Sequence, residues 1–316
     1  MEGAYQRLKL DFEEVTAELV FPEGPIALAD GRVLLVEIGG KALTCVEADG
    51  TVRRIAQLEG GPNGAAIGPD GACYICNSGG WLHQQHGDFM HVSGQSKDNG
   101  WIERVCLRSG EVTRLYTECD GRPLRAPNDL VFDRQGGFYF TDHGKAGRYQ
   151  RDTAAVYYAQ PDGRAITEVI RPLLTANGIG LSPDGAMLYV AETQPRRLWR
   201  FAISRPGVID PAPFPSVTGG HLVAGLPDRF ALDSLAVDSA GHIAVGSIGS
   251  GGVWDLSPTG AERVLYAFPD PYVTNICFGG EDLRTAFATL SGGGRLVRFR
   301  WPRAGLRLAF EGELRL

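Results

Sequence analysis

Six residues with side-chain oxygens recur at one place in a repeated unit: Glu23, Asn63, Asn128, Asn177, Asp233 and Asn275. Five of them stand eight positions before a turn glycine: Gly31, Gly71, Gly136, Gly185 and Gly241. The sixth copy turns through Gly279-Gly280-Glu281-Asp282 and lacks a glycine at the eighth step. A lone Asn or Asp at such a place reads as a turn or capping residue. Six in register, with both a Glu and an Asp among them, point to a metal ion. One Glu, one Asp and four Asn converging on an axis make a cage of hard oxygen donors. That suits Ca²⁺ first, with its about six to eight oxygen ligands, then Mg²⁺ or Mn²⁺. Zn²⁺ or Fe²⁺ would usually want imidazole or thiolate, and neither His nor Cys stands in the set.

The elements that must position these residues follow from the same repeat. Each unit reads as polar residue, short strand, tight turn, second strand: 177–181 then 186–190, 128–132 then 137–141, 233–237 then 242–246. The first strands are rich in Gly and Ala, which suits a crowded place where backbones approach closely. The second strands are bulkier and often aromatic, as a β surface prefers. Intervals of 40, 65, 49, 56 and 42 residues separate the six polar positions. Each leaves room for about four strands, and further strands are legible at 42–46, 101–107, 156–159 and 197–203. Four strands per repeat of this length predict an all-β chain, a six-bladed β-propeller with four-stranded blades. The six copies fill residues 1–316 as a single domain. A pair of β-sandwiches would not explain six copies of one unit. In a propeller the first strand of each blade lines the central channel, so the six polar residues form a ring at one mouth.

Composition agrees and excludes several classes. The 43 Gly and 19 Pro among 316 residues carry no G-X-Y period, so they punctuate strands rather than build collagen. A net charge of −6 without a basic stripe disfavours nucleic acid as a partner. No apolar run reaches the ~18 residues of a membrane span. Residues 1–20 lack the apolar core and cleavage site of a signal peptide, so a cytoplasmic location is expected. The six cysteines are scattered and imply no disulfide framework. Cys73-Tyr-Ile-Cys76 lies in an apolar strand, where positions three apart face opposite ways. It reads as two small buried residues.

Several strings resemble the gluconolactonase family, also called the senescence-marker-protein or regucalcin family. They are Pro22-Glu-Gly-Pro25, Pro127-Asn-Asp-Leu130, Asn177-Gly-Ile-Gly-Leu-Ser-Pro-Asp-Gly185, Asp233-Ser-Leu-Ala-Val-Asp238, and Thr274-Asn275 with Phe278-Gly-Gly280. The resemblance covers about residues 20 to 300. It implies a six-bladed propeller with a catalytic divalent metal at the channel mouth and a small-molecule substrate. By position it implies Glu23, Asn177 and Asp233 as metal ligands. Asn128 matches a residue that binds metal in some members and substrate in others, while Asn63, a candidate for substrate binding, and Asn275 stand behind the ligands. The sequence departs from the family at one place. Sugar-lactone members often carry an arginine two residues before the position of Asn128, where this chain has Ala126 preceded by Arg125. Arg125 is the substitute candidate for substrate binding, although an extended backbone would aim it to the other face.

The chemistry expected is metal-dependent lactone hydrolysis. A bound divalent ion polarises the carbonyl and stabilises the alkoxide, while a carboxylate takes the proton from water. Asp233 is the candidate base and Glu23 the structural carboxylate, roles that exchange without any change in sequence. His143, after Phe140-Thr-Asp142, is a candidate proton shuttle in the substrate pocket; its bland alternative is a solvated loop histidine. The longest interval holds an insertion at about 79–100 with Trp81, His83, His86, Phe89, Met90 and His91. Long loops are commonly lids. This one is expected to cover the metal, with Trp81 touching a substrate less polar than gluconate lactone; the alternative is a surface loop or a dimer contact. The alternatives are phosphotriesterase-like hydrolysis and a non-catalytic ligand-binding propeller.

Overall fold

The computed structural model describes residues 5–227, 230–249 and 251–310. Every regular element among them is a β-strand. Four antiparallel sheets follow one another along the chain. The first runs Pro22–Ala27, Val33–Glu37, Ala42–Val46, Val52–Gln57. The second runs Pro62–Ile67, Cys73–Asn77, Trp101–Val105, Val112–Tyr116, and the third Pro127–Phe132, Phe138–Asp142, Ala154–Ala159, Ile166–Leu173. The fourth starts Ala176–Leu181, Met187–Glu192, Arg197–Arg205, and Arg197–Arg205 then pairs with both Val208–Asp210 and His221–Gly225.

The remaining strands form two further groups in the same order, Ala231–Val237 to Arg263–Ala267 and Tyr272–Gly279 to Arg295–Arg300. A short pairing of Ser247 and Ile248 with Val273 and Tyr272 joins them into one nine-stranded sheet. The amino-terminal segment supplies that sheet's outer strands. Gln6–Lys9 lies parallel to Arg263–Ala267, and Phe12–Thr16 lies antiparallel to Arg295–Arg300. The last group is therefore completed by the start of the chain.

Each group's first strand touches the first strand of the next, and Tyr272–Gly279 touches Pro22–Ala27, so the series closes on itself. The close approach explains the small residues there. A Cβ on Gly178 would lie 2.7 Å from the Asp233 carbonyl oxygen and the Leu235 nitrogen. One on Gly64 would lie 2.6 Å from the Asn128 carbonyl oxygen.

The turns follow the glycine pattern. Gly31, Gly71, Gly136, Gly185 and Gly241 all have positive φ and donate to the carbonyl three residues earlier. This is a type I turn closed by a left-handed residue, the common three-residue hairpin. In the sixth copy the chain makes the same turn with Leu283, at φ 54°, in the glycine's place.

The core lies between sheets. Cys73 packs with Ile26, Leu34 and Val36 of the first sheet, whereas Cys76 packs with Phe132, Phe138 and Phe140 of the third. Both are free thiols, pushed up from the ordinary range by burial. The two-residue alternation of a strand thus feeds two adjacent interfaces at once.

Candidate functional site

All six first strands lose regular register at the repeated polar residue. The shifts fall between Glu23 and Ile26, Pro62 and Ala65, Pro127 and Leu130, Ala176 and Ile179, Leu232 and Leu235, and Val273 and Asn275. A bulge leaves a residue unpaired and re-aims its side chain. Here it turns polar groups toward the axis. Glu23, Asn63, Asn128, Asn177 and Asp233 line one cavity of about 240 Å³, together with Trp81 and His143.

The sixth polar residue has another task. Asn275 Nδ2 donates to Glu23 Oε2 at 2.8 Å, and its own Oδ1 accepts from the Ile276 amide at 2.7 Å. It orients Glu23 instead of offering a free oxygen. Asn177 is oriented from the side, its Nδ2 donating to Thr193 Oγ1 at 3.0 Å. Asn128 Oδ1 is buried and has no hydrogen-bond partner. An orphaned buried acceptor is costly, and a cation in the ring would satisfy it.

The electrostatics have the same sign. Burial pushes the Glu23 carboxyl up to about 7, against hydrogen bonds from Asn275 and Gly24. Asp233 is raised well above the carboxylate range, by burial first and by the Glu23 charge second. Asp129 is pushed up to about 8 by burial and by Glu23. Three buried carboxyls repelling one another, with the Asn128 and Asn177 amide oxygens beside them, fit a hard divalent cation.

Asp129 is a residue that strand alternation misplaces. It follows Asn128 directly, so a regular strand would send the two to opposite faces. The bulge between Pro127 and Leu130 keeps both at the axis, and Asp129 lines the channel just below the ring.

A second polar series also went unread. Glu37, Asn77, Asp142 and Glu192 stand 14 or 15 residues after the ring positions, at the ends of the second strands. Each is buried and accepts backbone N–H groups from the segment leading into its first strand. Val20 donates to Glu37 at 2.8 Å, Gly61 to Asn77 at 2.9 Å and Leu174 to Glu192 at 2.6 Å. Asp142 takes the amides of Arg125 at 2.7 Å, Ala126 at 2.8 Å and Gly144 at 2.9 Å. It thereby fixes both the approach to Asn128 and the turn that carries His143. The nearly constant spacing was the available signal.

His143 is buried, and burial lowers its pKa to about 4, so the ring is neutral. Its Nδ1 sits 3.2 Å from the Gly144 carbonyl oxygen. A carbonyl only accepts, so Nδ1 carries the proton and Nε2 is left basic. Trp81 meets this ring edge-on at 5.5 Å.

Arg125 is not brought to the cavity. Its Nε pairs with Asp152 Oδ2 at 2.7 Å, and its Nη1 donates to Asn99. The 79–100 insertion contains a β-hairpin, Trp81–His86 with Phe89–Gln95, which contributes Trp81 and Val92 to the cavity wall.

Elsewhere among the described residues, Asp238, His242 and Asp255 lie close enough to hold an ion. Arg303 pairs with both carboxylates, at 2.6 Å to Asp255, and His242 Nδ1 lies 2.9 Å from Asp255. The guanidinium already supplies the positive charge, and the set fastens residues 303–305 to the fifth group of strands.

Comparison with known proteins adds the following. The sequence description of the SMP-30/gluconolactonase/LRE-like region matches residues 21–292. A lactonase drp35 of Staphylococcus aureus is 40% identical over 175 residues, 54% of this chain and 50% of the relative. Its Staphylococcus epidermidis counterpart is 31% identical over 172 residues, with the same coverage of 54% and 50%. The chain spans about half the length of the curated relatives it matches. Among solved structures, a gluconolactonase from Xanthomonas campestris superposes with a TM-score of 0.71 at 22% identity, over 92% of this chain and 89% of that one. The calcium-binding protein regucalcin from Agrobacterium tumefaciens superposes with a TM-score of 0.73 at 19% identity, over 99% and 100%. At those identities the likeness concerns the fold.

Proposed function

The chain belongs to the SMP-30/gluconolactonase/LRE-like family, and from that premise we propose that it is a divalent-metal-dependent lactonase built as one six-bladed β-propeller. The closed series of first strands supports the blade count. The hairpin at 81–95 is then an insertion in the second blade. The staphylococcal relatives are lactonases, which supports the reaction. The calcium-binding relative supports Ca²⁺ as the ion. The single observation that carries the reading is the partnerless, buried Asn128 Oδ1 beside the buried carboxyls of Glu23, Asp233 and Asp129.

Glu23, Asn128, Asn177 and Asp233 would hold the ion, and Asp129 adds negative charge from below. A bound divalent cation supplies Lewis acidity at the lactone carbonyl. Asp233 takes a proton from the attacking water. The water oxygen bonds to the carbonyl carbon, the ring acyl–oxygen bond breaks, and the ring oxygen takes up a proton to give the open hydroxy acid. Neutral His143, with Nε2 free to accept, relays the proton. Asn275 and Thr193 hold Glu23 and Asn177 in place throughout. Six free cysteines suit a reducing compartment, so a cytoplasmic enzyme is proposed.

The test is proton release in a pH-stat across a lactone panel, after chelation and with Ca²⁺, Mg²⁺, Mn²⁺, Zn²⁺ or Fe²⁺ restored. Restored hydrolysis is expected. Asp233→Asn should lower kcat by about 10²–10⁴-fold with an unchanged circular dichroism spectrum. No proton release from any lactone with any of the metals refutes the reading.

A further inference from the structure

The cavity above the ring has a polar floor and apolar walls. Phe21, Ile38, Trp81, Val92, Ile248 and Tyr272 line it, and no Lys or Arg does so among the described residues. Among the cations nearby, Arg151 acts on the His143 ring without lining the cavity, and two others are committed elsewhere. Arg125 is paired with Asp152, and Lys145 Nζ donates to the carbonyls of Ser96, at 2.8 Å, and Asp98. Of the polar residues above the floor, Thr193 is engaged by Asn177 and Gln194 sits exposed at the rim. The polar groups left are Asn63, His143 and the Tyr272 hydroxyl, too few to pair the donor and the acceptor of each of a sugar lactone's four hydroxyls, and no cation of the lining meets an anionic substituent.

The wall is held in place. The hairpin crosses the mouth and is fastened at both ends of its span. At its tip the Met90 amide donates to the Gly292 carbonyl at 2.8 Å, and the His83 ring lies 4.8 Å from that of Phe21. At its base Gln95 Nε2 donates to the Gly144 carbonyl at 3.1 Å, and Gln95 Oε1 accepts from the Ala146 amide at 2.9 Å. A pocket formed in advance binds without an ordering cost. The Trp81 indole N–H is buried with no acceptor, and one ester oxygen would satisfy it.

We propose that the substrate is a neutral lactone bearing an apolar chain or ring, and that Trp81 and Val92 of the crossing hairpin determine this specificity. The proposal rests on the lactonase reading for its reaction, but not for its binding preference. Each methylene buried is worth about a factor of four, so a four-carbon tail is worth about 10²-fold.

The test compares δ-nonalactone with D-glucono-δ-lactone, which share the six-membered lactone ring and differ in the substituent. On the metal-loaded enzyme, kcat/KM is expected to favour δ-nonalactone about 10²-fold. Trp81→Ala should reduce that ratio about tenfold, and Val92→Thr, which keeps the volume and adds a hydroxyl, about threefold. Trp81→Phe should largely restore it. Calorimetry with the inert lactams, 6-butylpiperidin-2-one and D-gluconolactam, reads the preference without catalysis. Tighter binding of the butyl lactam upholds the proposal even if neither lactone is hydrolysed, in which case only the lactonase reading falls. A preference for the gluconate compounds, or equal binding of the two lactams, overturns it. So does a ratio that Trp81→Ala and Val92→Thr leave unmoved.

Discussion

Stripped of divalent cations, this protein should lose stability as the pH rises from about 7 to about 9. Glu23 and Asp129 hold protons near pH 7 in the folded chain because burial raises them to about 7 and about 8. In the unfolded chain the same groups have pKa values near 4 and are already ionised. The folded state therefore binds more protons, and stability falls with pH as the folded state gives them up. Over this window the loss is well under about 1 kcal/mol for Glu23 and roughly 1–2 kcal/mol for Asp129. Asp233 is raised too and adds in the same direction. His143, lowered to about 4, stays neutral here and nearly drops out. The total of about 2 kcal/mol corresponds to a fall in Tm of about 4 °C. Differential scanning fluorimetry of chelated protein at a series of pH values measures it. Asp129→Asn should cut the fall to about a quarter. Ca²⁺ at a hundredfold excess over Kd should add about 2.7 kcal/mol at one pH and flatten the profile, because the carboxylates are then ionised with a partner. A chelated protein whose Tm is level or rises between these pH values would refute the reasoning, as would a Tm that no divalent cation moves.

Three further perturbations address the frame around the ring. Gly178→Ala places a Cβ 2.7 Å from the Asp233 carbonyl oxygen. It should cost roughly 2–3 kcal/mol in urea unfolding, and an unchanged midpoint would contradict the packing described. Leu283→Gly relieves a left-handed leucine, whose strain of about 1–2 kcal/mol outweighs the entropy cost of glycine. A rise of about 0.5–1 kcal/mol in unfolding free energy is expected. Phe12→Ala removes a ring that packs 5.3 Å from Phe268 and belongs to the strand completing the last group. A loss of about 2 kcal/mol is expected, together with faster cleavage of the amino-terminal segment by protease; unaltered cleavage would separate that strand from closure.

Much of the site was legible along the chain because propeller repeats are local. A strand, a turn and a second strand lie within about fifteen residues, so the position of each ring residue is set by short-range register and turn chemistry. Glu23, Asn63, Asn128, Asn177 and Asp233 could be picked from their spacing to a glycine that a left-handed turn requires. The copy at Asn275 looked weak only because Leu283 makes the same turn without glycine. Other features were decided by contacts between distant segments. Alternation assigns Asn128 and Asp129 to opposite faces, yet the bulge between Pro127 and Leu130 keeps both inside. Asn275 holds Glu23 across a sequence separation of 252 residues. Arg125 is drawn outward by Asp152 and Asn99. The strand Phe12–Thr16, polar and exposed along much of its length, finds its place only because the last group of strands lacks an outer edge. Local periodicity writes the ring into the sequence, whereas bulges, long-range hydrogen bonds and ring closure exist only once the strands meet.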